Sequence, residues 1–120
     1  MRSIVVRFVV SLALLSAAAP SLADDATVAD PKHYTVEFEN DSVRVVRIKY
    51  GPHERSVMHE HRRDGVLVYL TDHRVKFTDP DGTSKEVSAK AGQAAWVTAT
   101  THLPENLEAK PLELLYIEIK

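Results

Sequence analysis

The chain has 120 residues, with 15 Lys and Arg against 17 Asp and Glu, a formal net charge of -2, and no cysteine. The lack of cysteine excludes disulfides, thiolate nucleophiles and thiolate-ligated zinc together. A mildly acidic chain without a basic cluster offers little to nucleic acid phosphates or an anionic membrane surface, so nucleic acid is not an expected partner.

Residues 1–23 read as a cleavable signal peptide. Arg2 and Arg7 give a positive start, Phe8 to Ala19 is apolar or small, and Ser21-Leu22-Ala23 places small residues where a signal peptidase cuts. The apolar run is shorter than the ~20 residues a spanning helix needs and is closed by Pro20, so the chain is expected not to span a membrane. The expected location is therefore the periplasm or beyond. Cleavage takes away two basic residues and no acidic ones, which leaves the mature domain more acidic.

Residues 24–33 are polar, contain Pro31 and show no periodicity, and are expected to form a flexible lead-in. From residue 34 the pattern changes. Tyr34, Val36 and Phe38 alternate with Thr35, Glu37 and Glu39, which predicts a half-buried strand ended by Asn40-Asp41. Val43 to Tyr50 predicts a second, closed by Gly51-Pro52, and Val57 to His61 and Val66 to Leu70 predict two short ones around a charged turn. Arg74 to Thr78 and Thr83 to Ser88 flank Asp79-Pro80-Asp81-Gly82, where Pro presets one turn angle and Gly accepts a positive one. Ala94 to Thr98 and Leu112 to Ile119 complete the set. No mature segment sustains apolar residues at helical spacing. Residues 34–120 are thus expected to form one all-β domain, a barrel or sandwich.

The chemistry concentrates in His59-Glu60-His61 and His102. Histidines two apart on a strand point to the same side of the sheet. If that side is the inside of a closed shell, a third imidazole from another strand makes a site for a divalent metal. With no thiolate available, histidine, carboxylate and water suit Fe, Mn, Zn, Ni or Cu rather than an iron-sulfur cluster.

Gly51 leads into His59-Glu60-His61, and Gly92 leads through Ala94-Ala95-Trp96-Val97 into His102-Leu103-Pro104-Glu105-Asn106. In these two motifs the chain resembles the cupins, whose first motif carries Gly, His-x-His and a following Glu, and whose second ends His-x-x-x-Asn. The resemblance covers the domain from Tyr34 onward and implies a jelly-roll β-barrel with His59, His61 and His102 as metal ligands. The chain departs from the pattern where the family's glutamate ligand belongs, because those positions are Gly65 and Val66, with Asp64 one step early. The gap from Gly51 to His59 is also longer, and the second motif's Pro-x-Gly is missing.

Asp64 remains a candidate ligand or a hydrogen-bond acceptor that orients one. Glu60 is expected to face outward, and Trp96, Phe77 and Tyr69 to be core aromatics. His33, His53 and His73 fall in expected loops and read as surface histidines. Asn106 reads as a hydrogen-bonding loop residue, Arg55 as an exposed arginine or a contact for an anionic substrate, and Glu105 as an acid or base beside His102. Ser56 lacks the context of a nucleophile elbow. Two functions stay open: a secreted metal-binding cupin acting on a small organic molecule in a dioxygenase-like or isomerase-like reaction, or a non-catalytic ligand-binding or dimerising module with a degenerate metal site. A homodimer is expected from the small core.

Overall fold

The protein is described here over residues 23–120 of a computed structural model; the expected signal peptide, but for Ala23, lies outside the described residues. Nine strands follow one helical turn: α1 (Ala26–Ala29), β1 (Tyr34–Glu39), β2 (Val43–Tyr50), β3 (His59–His61), β4 (Gly65–Tyr69), β5 (His73–Thr78), β6 (Ser84–Ala89), β7 (Ala94–Val97), β8 (Thr100–Asn106) and β9 (Leu112–Ile119). They form two antiparallel sheets, ordered β1-β2-β9-β4-β7 and β3-β8-β5-β6, facing each other as a jelly roll. The all-β expectation holds. The Asp79–Gly82 turn joins β5 to β6 as its residues dictate: Gly82 has φ +87°, and the Asp81 carboxylate accepts from the Thr83 amide at 2.9 Å.

Alternation sorts the five-stranded sheet into two faces. Val46, Ile48 and Tyr50 of β2, Leu112, Leu114 and Tyr116 of β9 and Tyr69 of β4 point inward and form most of the core. The same inward set contains an ion pair. Arg44 lies directly opposite Glu118; its Nε and Nη2 bond the two carboxylate oxygens, and the same Nη2 also donates to Asp25 at 2.7 Å. Glu118 is 1% exposed, so this charge is held only because it is paired.

The outward face of this sheet is apolar along one complete cross-strand row. Phe38 lies opposite Val45, Val45 opposite Ile117, Ile117 opposite Val66 and Val66 opposite Trp96. Phe38 and Trp96, at its two ends, are 52% and 61% exposed. Trp96 is therefore not the core aromatic its size suggested. Its strand places it opposite Val66, while its neighbours Ala95 and Val97 take the inward positions. The outer side of the other sheet carries Glu60, Thr101, Glu105, Lys76 and Glu86 instead, with Glu60 paired to Arg62 as expected of an outward residue.

Residues 24–33 differ from the expected flexible lead-in. Asp25 caps α1 by accepting from the Thr27 amide at 3.0 Å, Asp24 accepts from the Glu60 amide at 2.8 Å, and Ala26 is 2% exposed. No hydrophobic period announces this strap, because hydrogen bonds and the Arg44 ion pair hold it across β3 rather than a stripe of apolar side chains.

Candidate metal centre

The whole of β3 is His59-Glu60-His61, and β8 pairs with it so that His59 lies opposite His102 and His61 opposite Thr100. Directly opposed residues share a face, so this register brings the third imidazole beside the first two. Their candidate ligand nitrogens all lie within 4.8 Å of one another. His59 Nε2 and His61 Nε2 are 3.0 Å apart, and the three rings meet edge to face with centroids 4.8 to 5.1 Å apart.

Each ring is wedged by an aromatic neighbour. Tyr116 stacks on His61 at 5.0 Å and 6°, Phe77 stacks on His102 at 4.8 Å, and Tyr34 meets His59 at 4.7 Å. Tyr116 is itself fixed by donating its hydroxyl proton to the Arg63 carbonyl at 2.5 Å. Burial lowers all three histidines, His59 to about 4, His61 to about 3 and His102 to about 2; the neighbouring imidazoles push the last two further. At neutral pH the rings are uncharged, as metal ligands must be.

A hydrogen-bond chain sets how His59 presents its nitrogens. His59 Nδ1 is 2.9 Å from the Val57 carbonyl, which can only accept, so Nδ1 carries the proton and Nε2 offers its lone pair toward His61. Ser56 Oγ lies 3.1 Å from the same Nδ1 and donates to Asp30 at 2.5 Å, and His33 Nδ1 lies 2.6 Å from that carboxylate oxygen. Burial works to raise the Asp30 pKa, but the bonds from Ser56 and His33 outweigh it and leave the group below its ordinary value. This carboxylate-hydroxyl-imidazole arrangement fixes the orientation and tautomer of the His59 ring.

The donor set fits a divalent ion. Two nitrogens each about 2.1 Å from a shared ion stand at most about 4.2 Å apart. The 3.0 Å pair already suits the roughly 3.0–3.4 Å that right-angled or tetrahedral ligation needs, and the other pairs, all within 4.8 Å, reach it by side-chain shifts of about 1–2 Å. The centre opens into a cavity of about 360 Å³ lined mainly by apolar and aromatic side chains.

His59, His61 and His102, the three expected ligands, are brought together. Asp64 is taken elsewhere: its carboxylate accepts from the Ala99 amide at 2.8 Å, and its carbonyl from the Ile119 amide at 2.9 Å. Glu105 turns outward to Lys76 at 3.3 Å, and Arg55 is exposed. Asn106 is 1% exposed and bridges loops, donating to the carbonyls of Gly51 and Lys110. His33 and His73 are buried at 6% and 7% exposure, contrary to their reading as surface residues. His33 is enclosed because the strap brings Asp30 to it and Tyr50 stacks on it at 4.4 Å. His73 is the first inward residue of β5 rather than part of a turn. The roles of Ser56, Asp30 and His33 escaped sequence reasoning; the available signal was Ser56 three residues before His59.

No family profile matches the sequence, and no curated protein matches it. Solved structures do. A cupin domain from Bordetella pertussis Tohama I is 25% identical, with 72% of this chain and 91% of that one covered at a TM-score of 0.67. A double-stranded β-helix protein from Klebsiella pneumoniae is 17% identical over 72% of this chain and 74% of that one, with a TM-score of 0.57. Bacillus subtilis oxalate decarboxylase, described with Mn(II) centres, is 22% identical; the match covers 66% of this chain but 22% of that one, with a TM-score of 0.52.

Proposed function

The chain is a cupin, and from that premise we propose that it holds one divalent metal ion through His59, His61 and His102 and acts with it on a small organic molecule bound in the adjoining cavity. The observation that carries this reading is the convergence of three neutral imidazoles, two buried and one half-buried, at the edge of a cavity. An ion held there supplies Lewis acidity, lowers the pKa of a bound water, or, if it is iron, joins dioxygen chemistry to an organic substrate. The chain's own residues do the rest. Ser56 and Asp30 hold the His59 tautomer, Phe77 and Tyr116 fix the rings of His102 and His61, and the apolar walls exclude water from the substrate.

Three protein ligands leave coordination positions for substrate and water, as catalytic metal sites do. The test is elemental analysis of the purified protein beside His61→Ala, followed by oxygen uptake and substrate turnover with added Fe(II), Mn(II) or Ni(II). Near-stoichiometric metal in the wild type that falls at least tenfold in the variant is the expected result. Equal metal in both refutes the site. Metal without turnover turns the reading to a ligand-binding module, which the absent family glutamate favours.

Secretion is part of the proposal and rests on Arg2, Arg7 and the apolar run that follows. So is a homodimer, with a second copy covering the apolar row from Phe38 to Trp96. The contrast between this row and the charged outer side of the opposite sheet supports it, since exposed contiguous apolar faces mark interfaces. Phe38→Asp is expected to turn the dimer into a monomer by light scattering without changing metal content; a wild-type monomer at high micromolar concentration would remove the dimer.

A further inference from the structure

The inward positions of β5 are His73, Val75 and Phe77, and all three line the cavity. Phe77 stacks on His102 at the metal-centre end. His73 lies four residues away, roughly 13 Å at about 3.3 Å per residue, in the wall of the cavity's far end. Its ring meets the edge of Tyr69 at 4.6 Å and 83°, and it is 7% exposed. Both its ring nitrogens are buried without a hydrogen-bond partner among the described residues. Burial lowers its pKa, so at neutral pH the ring is uncharged and offers one donor and one acceptor. Leaving such groups unpaired costs roughly 1–3 kcal/mol, and folded proteins retain few without a reason.

The wall between the two ends is apolar, with Val75, Leu67, Leu112 and Leu114 facing the cavity. Its charged lining residues, Asp79 and Lys85, both belong to the metal-centre end: Lys85 pairs with Phe77, and Asp79 follows the end of β5 nearest His102. We propose that His73 is the distal polar contact of the substrate, which is an elongated, mainly apolar molecule bearing a metal-binding group at one end and an uncharged hydroxyl or carbonyl at the other. This rests on the metal-site reading above and adds the substrate class to it. A short dicarboxylate fits poorly, because it would fill little of the 360 Å³ and its second charge would meet no cation beside His73.

The test uses Mn(II)-loaded protein and two probes, octanohydroxamic acid and 8-hydroxyoctanohydroxamic acid, which share a metal-chelating head and differ only in a terminal hydroxyl. Wild-type protein is expected to bind the hydroxylated probe about tenfold more tightly. His73→Phe and His73→Leu are expected to lose that preference while keeping affinity for the plain probe. In the metal-free state at least one of the two is expected to melt above wild type, because an unpaired buried imidazole has been removed. Equal binding of both probes by the wild type, a preference that survives both substitutions, or melting of both variants below wild type would overturn the proposal. If manganese is not taken up, the metal reading fails and this proposal fails with it, whereas equal binding of both probes by manganese-loaded wild type overturns this proposal alone.

Discussion

Gly65→Glu, which puts a carboxylate back where the resembled family carries its fourth ligand, is expected to destabilise the protein without improving metal binding. Gly65 shares the inward face of β4 with Leu67 and Tyr69, so its position relative to the cavity is suitable. The obstacle is β9. A Cβ at position 65 would stand 2.1 Å from the Ile117 carbonyl oxygen and 2.9 Å from its carbon, and both are backbone atoms of the paired strand. No rotamer relieves a clash made by Cβ itself, so the two strands must part and lose ladder hydrogen bonds. Overpacking of this kind costs about 3 kcal/mol or more, which lowers Tm by on the order of 15 °C in a domain of this size. Gly65→Ala carries the same clash without the charge and should lose most of the same stability in thermal unfolding. Val66→Glu should fold but gain no metal, since position 66 lies in the outward row between Ile117 and Trp96. A Gly65→Glu protein that melts with wild type and binds metal more tightly would show that the strand spacing yields. The close approach of β4 and β9 thus leaves no room for a carboxylate at position 65.

Those positions also show why some features could be read from the sequence and others could not. Eight of the nine strands were legible because alternation and turn residues are local: the Pro-Asp-Gly hairpin and the β-branched run of β2 declare themselves within a few residues, whereas β8 (Thr100–Asn106), with Pro104 and no apolar alternation, did not. The pairing of His59 with His102 is a long-range register, and motif order stood in for it correctly. Asp64, Gly65 and Val66 could be seen to depart from a pattern, yet only the β4–β9 contact explains why no carboxylate belongs there. Side-chain direction was the recurrent difficulty. His73 and Trp96 are each set by a register that no local pattern reveals, one turned into the cavity and the other out of the shell. The strap of residues 24–33 was hidden for another reason. Asp25, Asp30 and Arg44 are polar groups whose partners lie far along the chain, and polarity alone reads as solvent exposure.

The metal-free protein is expected to lose stability steeply as pH falls from 6.5 toward 5. His59, His61 and His102 titrate at about 4, 3 and 2 in the folded chain, all below the value of about 6.5 they take when unfolded. Between these limits the unfolded state binds more protons than the folded one, so stability rises with pH; it is fully present above 6.5 and is lost as pH drops below it. With three groups the slope approaches about 4 kcal/mol per pH unit as an upper bound near pH 5, large against the 5–15 kcal/mol typical of a whole domain. His73, lowered by burial, acts in the same direction, while Asp25, Asp30 and Glu54, also lowered, contribute only in the carboxylate range below. Chemical unfolding at a series of pH values checks the slope. His102→Leu, which removes one imidazole from a site walled by Phe77 and Pro104, should reduce it by about a third. Saturating divalent metal should move the acid midpoint of the wild type downward, because the ion binds only the folded, deprotonated cluster, and should leave that of His102→Leu nearly where it was. A metal-free wild type equally stable at pH 7 and pH 5 would mean that the three rings are not buried together as neutral groups, and the cluster would no longer qualify as a preformed metal site.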